Sequence, residues 1–105
     1  MAKYMMVVQS EAKDGRDDEY NHWYDGQHLA DVLAIPGVTG GRRFDAMPGS
    51  VGARGMRYLA IYEIDSEDPH AVLAELEKRA ADGTMAVSDA LDPESVRLWL
   101  YKARA

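Results

Sequence analysis

The chain has 105 residues, 47% of them hydrophobic, and a formal net charge of −6 at pH 7. That length makes one domain, residues 1–105, with a core of its own, and the composition is that of a globular chain rather than a disordered one. With no cysteine, disulfides, zinc–thiolate sites and thiol catalysis are excluded; the acidic charge disfavours nucleic acid, and no apolar run approaches the roughly 20 residues of a membrane helix.

The opening run MAKYMMVVQSEA reads as a strand over residues 3–10, with Tyr4, Met6 and Val8 on one face and Met5 and Val7 on the other. Its apolar part is too short for a secretory signal and no small-residue cleavage site follows, so a cytoplasmic location is expected. A helix follows, opened by Asp17, Asp18 and Glu19 at the positive end of its dipole and closed by Pro36 and Gly37. Residues 38–47 read as a second, more polar strand, and the Gly/Pro-rich stretch 47–55 as a connection. Residues 56–65 are a third strand, apolar on both faces.

A second helix starts at Asp68-Pro69, buries a stripe of Val72, Leu73, Leu76 and Ala80, and stops at Gly83. Residues 84–93 are a loop or a short extra turn, and residues 95–103 the last strand. The order is β-α-β-β-α-β. Strands one and three suit the covered centre of a sheet; strands two and four, which carry charge, suit its edges. This is an α+β ferredoxin-like plait. The helices cover one sheet face, and strand alternation sends some of Tyr4, Met6, Tyr58, Tyr62, Trp99 and Tyr101 to the other. Pairing two such faces across a two-fold axis hides them, so a homodimer is expected.

His28 is the leading chemical candidate, because an imidazole with a pKa of about 6.5 is suited to proton transfer at neutral pH. On a continuous helix Tyr24 (i−4) and Asp31 (i+3) share its face: Asp31 would orient the ring and Tyr24 would donate to a substrate oxygen. The competing reading is a histidine hydrogen-bonded to backbone at a helix end. Tyr20 and Trp23 flank the region, as pocket wall or as core. Tyr62 can reach a ligand past the small Ala60, whereas Tyr58 suits a dimer interface. Arg42 and Arg43 point to opposite faces of strand two, and one of them, Arg43 by preference, could pin a carboxylate or phenolate; a solvated edge arginine is the alternative. His22/Asp25 and His28/Asp31 have i,i+3 spacing but lack a third ligand, so no metal is expected. There is no phosphate-binding glycine loop and no Ser-His-Asp pattern.

The runs Trp23-Tyr24-Asp25, His28-Leu29, the stretch from Asp31 to Val38, Arg43-Phe44 and the third-strand phrase Tyr58-Leu59-Ala60-Ile61-Tyr62-Glu63 resemble the EthD-like branch of the dimeric α/β-barrel superfamily. The resemblance spans most of the chain and is specific only in the first helix. It implies a homodimer of plaits, a pocket between that helix and the sheet, and a functional role for His28. Relatives often have proline two places after this histidine; here it is Ala30. Members include polyketide cyclases, decarboxylases, cofactor-free monooxygenases and isomerases, and haem held through His28 is a weaker implication. The expectation is a cofactor-independent enzyme with His28, Asp31 and Tyr24 catalytic and Tyr20, Trp23, Arg43 and Tyr62 around an aromatic, phenolic or polyketide-like ligand. The alternative is a non-catalytic ligand-binding or accessory dimer of an oxidative degradation pathway.

Overall fold

A computed structural model describes residues 3–52 and 55–104. Strand β1 (Tyr4–Ser10) leads into one helical run made of α1 (Asp17–Trp23), a π-helical turn (Tyr24–His28) and α2 (Leu29–Leu33). There follow β2 (Val38–Asp45), β3 (Tyr58–Ile64), α3 (Pro69–Asp82), a 3₁₀ turn (Pro93–Ser95) and β4 (Arg97–Lys102). The strands form one antiparallel sheet in the order β2-β3-β1-β4, so the two strands apolar on both faces are the central pair. The ferredoxin-like plait is as expected.

Boundaries shift for local reasons. β2 ends at Asp45 and β3 starts at Tyr58, with one further bond from Ala46 N–H to the Arg57 carbonyl closing the pair. The 47–55 connection is turn and bend where it is described; residues 53 and 54, like 1, 2 and 105, lie outside the described residues. β4 starts at Arg97 because Ser95 closes the 3₁₀ turn, its hydroxyl donating to the Asp92 carbonyl at 2.6 Å. Asp68 precedes α3 as expected but makes no side-chain cap, and Gly83 ends it in the left-handed region at φ +83.

The largest fully buried side chains are Tyr20, Tyr62, Met6, Ile35, Ile64 and Val32, between the helices and the sheet. Each such burial contributes about 1.5–3 kcal/mol before chain entropy is counted. Alternation divides the aromatic residues of the strands. Tyr4, Met6, Tyr58 and Tyr62 face the helices. Met5, Phe44, Trp99 and Tyr101 face the other way and are 43%, 39%, 65% and 55% exposed. Tyr58 is therefore not the interface residue expected: its ring lies 5.0 Å from that of Tyr20 and its hydroxyl donates to Asp17 at 2.6 Å.

Gly41, opposite Tyr62 on β2, has a packing role: a Cβ there would sit 2.7 Å from Cδ1 of the Tyr62 ring. A methyl group at that distance forces the ring or the strand to move. Gly26, in the π-turn, has nothing within 4 Å of its Cβ position. Gly41→Ala should therefore cost about 1–3 kcal/mol in urea unfolding, while Gly26→Ala should be neutral or stabilising by up to about 1 kcal/mol. Equal effects at both positions would refute this account of the β2–β3 packing.

Candidate functional site

The chemistry-bearing residues gather where the helical run changes pitch. Leu29 N–H bonds to the Tyr24 carbonyl, an i→i+5 link that inserts one residue into the helix. The run is thus not the continuous α-helix expected. π-turns of this kind occur often at functional sites, and Gly26 in the middle of this one weakens the competing α geometry. Inside the turn the rings of Tyr24 and His28 meet edge to face, 4.7 Å apart at 88°. Trp23 stacks on His28 at 4.5 Å and 25°. Its indole N–H donates to the Ala86 carbonyl at 3.1 Å, tying the helix to the segment after α3.

These residues wall a cavity of about 200 Å³ between the helices and the sheet. Trp23, Tyr24, His28 and Tyr62 line it together with apolar side chains such as Val8, Leu76, Met85 and Leu98. Among the described residues that line it there is no Asp, Glu, Lys or Arg. Tyr24 and Tyr62 join hydroxyl to hydroxyl at 2.9 Å. One hydroxyl must donate to the other, which leaves one O–H proton of the pair unspent. Burial raises both phenols, Tyr24 the further and Tyr62 to about 12, so both are protonated at neutral pH.

His28 departs from the expectation of a neutral-range titration. Burial lowers its pKa to about 4; the Asp31 charge opposes this and the Arg43 charge adds to it. Its Nδ1 is buried without a hydrogen-bond partner. Asp31 therefore acts on the ring through its charge, not by the clamp expected of it at that nitrogen, and it does not line the cavity. The backbone-satisfied histidine of the competing reading is not seen at Nδ1 either.

Two other expected pocket residues lie outside the cavity. Tyr20 is wholly buried core, its hydroxyl 2.5 Å from Ser10 Oγ. Arg43 lies over the face of Tyr24 at 4.4 Å and is 11% exposed. It donates to Asp25 and to Asn21, each at 2.8 Å, so it straddles the junction of α1 and the π-turn. It lines a separate polar cleft with Asp45, Arg57 and Tyr58. Arg42, on the opposite sheet face, lies 5.6 Å from the Phe44 ring. Among the described residues no group of three possible metal ligands occurs, and no helix is long and apolar enough to cross a membrane.

Ser10, Met85, Val87 and Leu91 line the cavity and were not anticipated. Ser10 was within reach, because alternation puts it on the face of Met6 and Val8. Met85, Val87 and Leu91 come from an irregular segment with no periodicity to read.

No family model and no curated protein sequence matches the chain. Solved structures do. MhuD of Mycobacterium tuberculosis, a haem degrader with two haems in its active site, aligns over 97% of this chain and 96% of its own at TM-score 0.67 and 15% identity. An EthD family protein of Bacillus halodurans aligns over 95% and 97% at TM-score 0.65 and 14% identity. A candidate monooxygenase of Shewanella loihica aligns over 100% and 98% at TM-score 0.62 and 13% identity. At these identities the likeness is one of fold: the chain shares the ferredoxin-like plait of these structures, an EthD family protein among them.

The lowered pKa of His28 has a thermodynamic consequence. Between its ordinary value of 6.5 and about 4 the unfolded chain holds a proton that the folded chain does not. The associated stability is complete above about pH 6.5 and is lost as pH falls toward 4, on the order of 3 kcal/mol in all. In urea unfolding, the stability of the wild type relative to His28→Gln should fall by about that amount between pH 7.5 and pH 4. A difference that stays constant with pH would mean that the imidazole is not buried neutral.

Proposed function

We propose that the chain is a small-molecule enzyme of oxygenase type, working as a homodimer on an aromatic, phenolic ligand held beside His28. The observation that supports it is the meeting of Trp23, His28, Tyr24 and Tyr62 in one wall of an otherwise apolar cavity. The monooxygenase and haem-degrader titles of similar folds agree with this reading. A phenolic ring would lie against the Trp23–His28 stack, its hydroxyl between the imidazole and the spare proton of the Tyr24–Tyr62 pair.

Magnitudes define the part His28 plays. A phenol has a pKa of about 10, so complete transfer to an imidazole at about 4 is uphill by roughly 8 kcal/mol. A turnover of about 10 per second allows a barrier near 16 kcal/mol, so the step is permitted. The hydrogen bond from the tyrosine pair reduces the cost by stabilising the oxygen as its charge grows. His28 is then the base and the tyrosine pair the electrostatic partner. Electron-rich phenolates react with oxygen where phenols do not, which makes this proton transfer the enabling step of a cofactor-free oxygenation. Cyclisation, isomerisation or decarboxylation would use the same proton.

The described lining offers haem one imidazole, His28, and no cation to pair with its propionates, so no step here runs through iron.

The second reading is a non-catalytic binding protein, and the weak basicity of His28 favours it. Oxygen uptake and product mass spectra over a panel of phenols separate the two. The enzyme reading expects turnover that His28→Gln lowers by about 10²–10⁴-fold with the assembly unchanged. Ligands that shift the His28 ring signals without any turnover would leave the binding protein.

The dimer is expected to form through the open sheet face. Trp99, Tyr101, Met5 and Phe44 on one protomer would meet their counterparts across a two-fold axis. Sedimentation should give a dimer for the wild type and a folded monomer for Trp99→Arg. A monomeric wild type would end this part of the proposal.

A further inference from the structure

We infer that the cavity selects uncharged phenols and rejects aromatic carboxylates. This rests on the reading of the cavity as the ligand site and narrows the ligand class within it. Two observations carry it: no charged side chain among the described residues of the lining, and the neutral donor and acceptor that His28 and the Tyr24–Tyr62 pair present there.

Charge sets the limit. The cavity is lined by aliphatic and aromatic groups with four polar side chains, Ser10, Tyr24, His28 and Tyr62. Burial keeps His28 neutral down to about pH 4. The guanidinium over the Tyr24 ring, Arg43, has its terminal nitrogens committed to Asp25 and Asn21 and belongs to the neighbouring cleft. A carboxylate in the cavity would be a buried charge with no counter-ion, one of the costliest arrangements a protein can hold. A phenol asks much less: one acceptor for its proton and one donor for its oxygen. The imidazole and the tyrosine pair supply one of each. The phenol also presents an aromatic face to Trp23.

The test uses matched probes. 4-Hydroxyacetophenone and 4-hydroxybenzoate have nearly the same shape and differ in charge; p-cresol is the small neutral reference. Calorimetry gives the affinities, and the Trp23 indole and His28 ring signals in NMR report whether binding is in the cavity. The expected result is cavity binding of p-cresol and 4-hydroxyacetophenone, with 4-hydroxybenzoate about a hundredfold weaker than the ketone. A ketone-to-acid ratio under tenfold overturns the inference.

A variant tests the charge argument from the other direction. Val87 lines the cavity while being 48% exposed, so Val87→Lys adds a cation at little risk to the fold. It should tighten 4-hydroxybenzoate at least tenfold relative to p-cresol; no relative gain for the acid counts against the inference. If no probe moves the Trp23 or His28 signals, the ligand-site reading itself fails, which is a different result from loss of selectivity.

Discussion

The bond between the Tyr24 and Tyr62 hydroxyls, 2.9 Å long, is the constraint on which the rest of the site depends. With the Tyr20–Ser10 contact, it joins the helical run to the central strands by a polar link inside an apolar layer. Both phenols are buried, so either one alone would be an unsatisfied polar group worth about 1–3 kcal/mol of destabilisation. Each is the other's solution. The bond specifies the register of the helical run on the sheet, because a slip of one residue would strand both hydroxyls. Gly41 makes the arrangement possible from below by leaving the Tyr62 ring its space. Arg43 secures it from the side, resting on the Tyr24 face while bonding Asn21 and Asp25.

The π-turn follows from the same geometry. A continuous α-helix would carry residue 28 around with regular spacing, and the edge-to-face meeting of Tyr24 and His28 would have to form within an unbroken ladder. The inserted residue changes which side chains share a face. It brings His28 between Trp23 and Tyr24 and leaves Asp31 away from the cavity. The cost is an imperfect ladder and a buried Nδ1 with no partner. Desolvation that lowers His28 and raises Tyr24 and Tyr62 is one effect with three readouts: burial penalises whichever form of each group is charged. All three groups are thereby held neutral at physiological pH. The site offers hydrogen bonds without charges.

Much of the fold was legible because it rests on alternation and on helix stops. Two-sided apolar runs identified β1 and β3 as central, and Gly37 and Gly83, both at positive φ, stand where the helices were expected to end. His28, Trp23, Tyr24 and Tyr62 were legible as a group for a coarser reason: aromatic residues and an imidazole close together on one amphipathic helix, opposite an aromatic strand. What was not legible depends on a single inserted residue. Counting at i±3 and i±4 put Asp31 beside His28, and it does act on the ring by its charge, but it makes no bond to Nδ1 and stays out of the cavity lining. Arg42 and Arg43 were read on opposite faces, as they are, but what the inner one touches depends on helix rotation, and no pattern in β2 reports that. Tyr58 shows the same limit. Alternation put it on one face with Tyr62, and only the packed structure shows Tyr20 and Asp17 waiting for it there.

The two proposed activities of the sheet are separated by its thickness. Met6 and Val8 point to the helices, while Met5 and Val7, their neighbours in sequence, point to the open face. A second protomer laid on Trp99 and Tyr101 would therefore cover the opposite side of the sheet from the cavity. Pairing and ligand binding become chemically independent, each using alternate residues of the same strands. They remain mechanically linked, because β1 and β3 carry both surfaces and any twist imposed on one is felt by the other. Tyr62 is the residue through which such a link would act: it sits at the centre of β3, opposite Met6 and Gly41, with its hydroxyl in the cavity wall. A dimer that stiffens the central strands would hold this hydroxyl, and through it Tyr24 and the π-turn, in a single geometry. On this argument a partner on the open face would do more than hide apolar surface: it would preorganise the hydroxyl proposed to stabilise charge on the ligand oxygen.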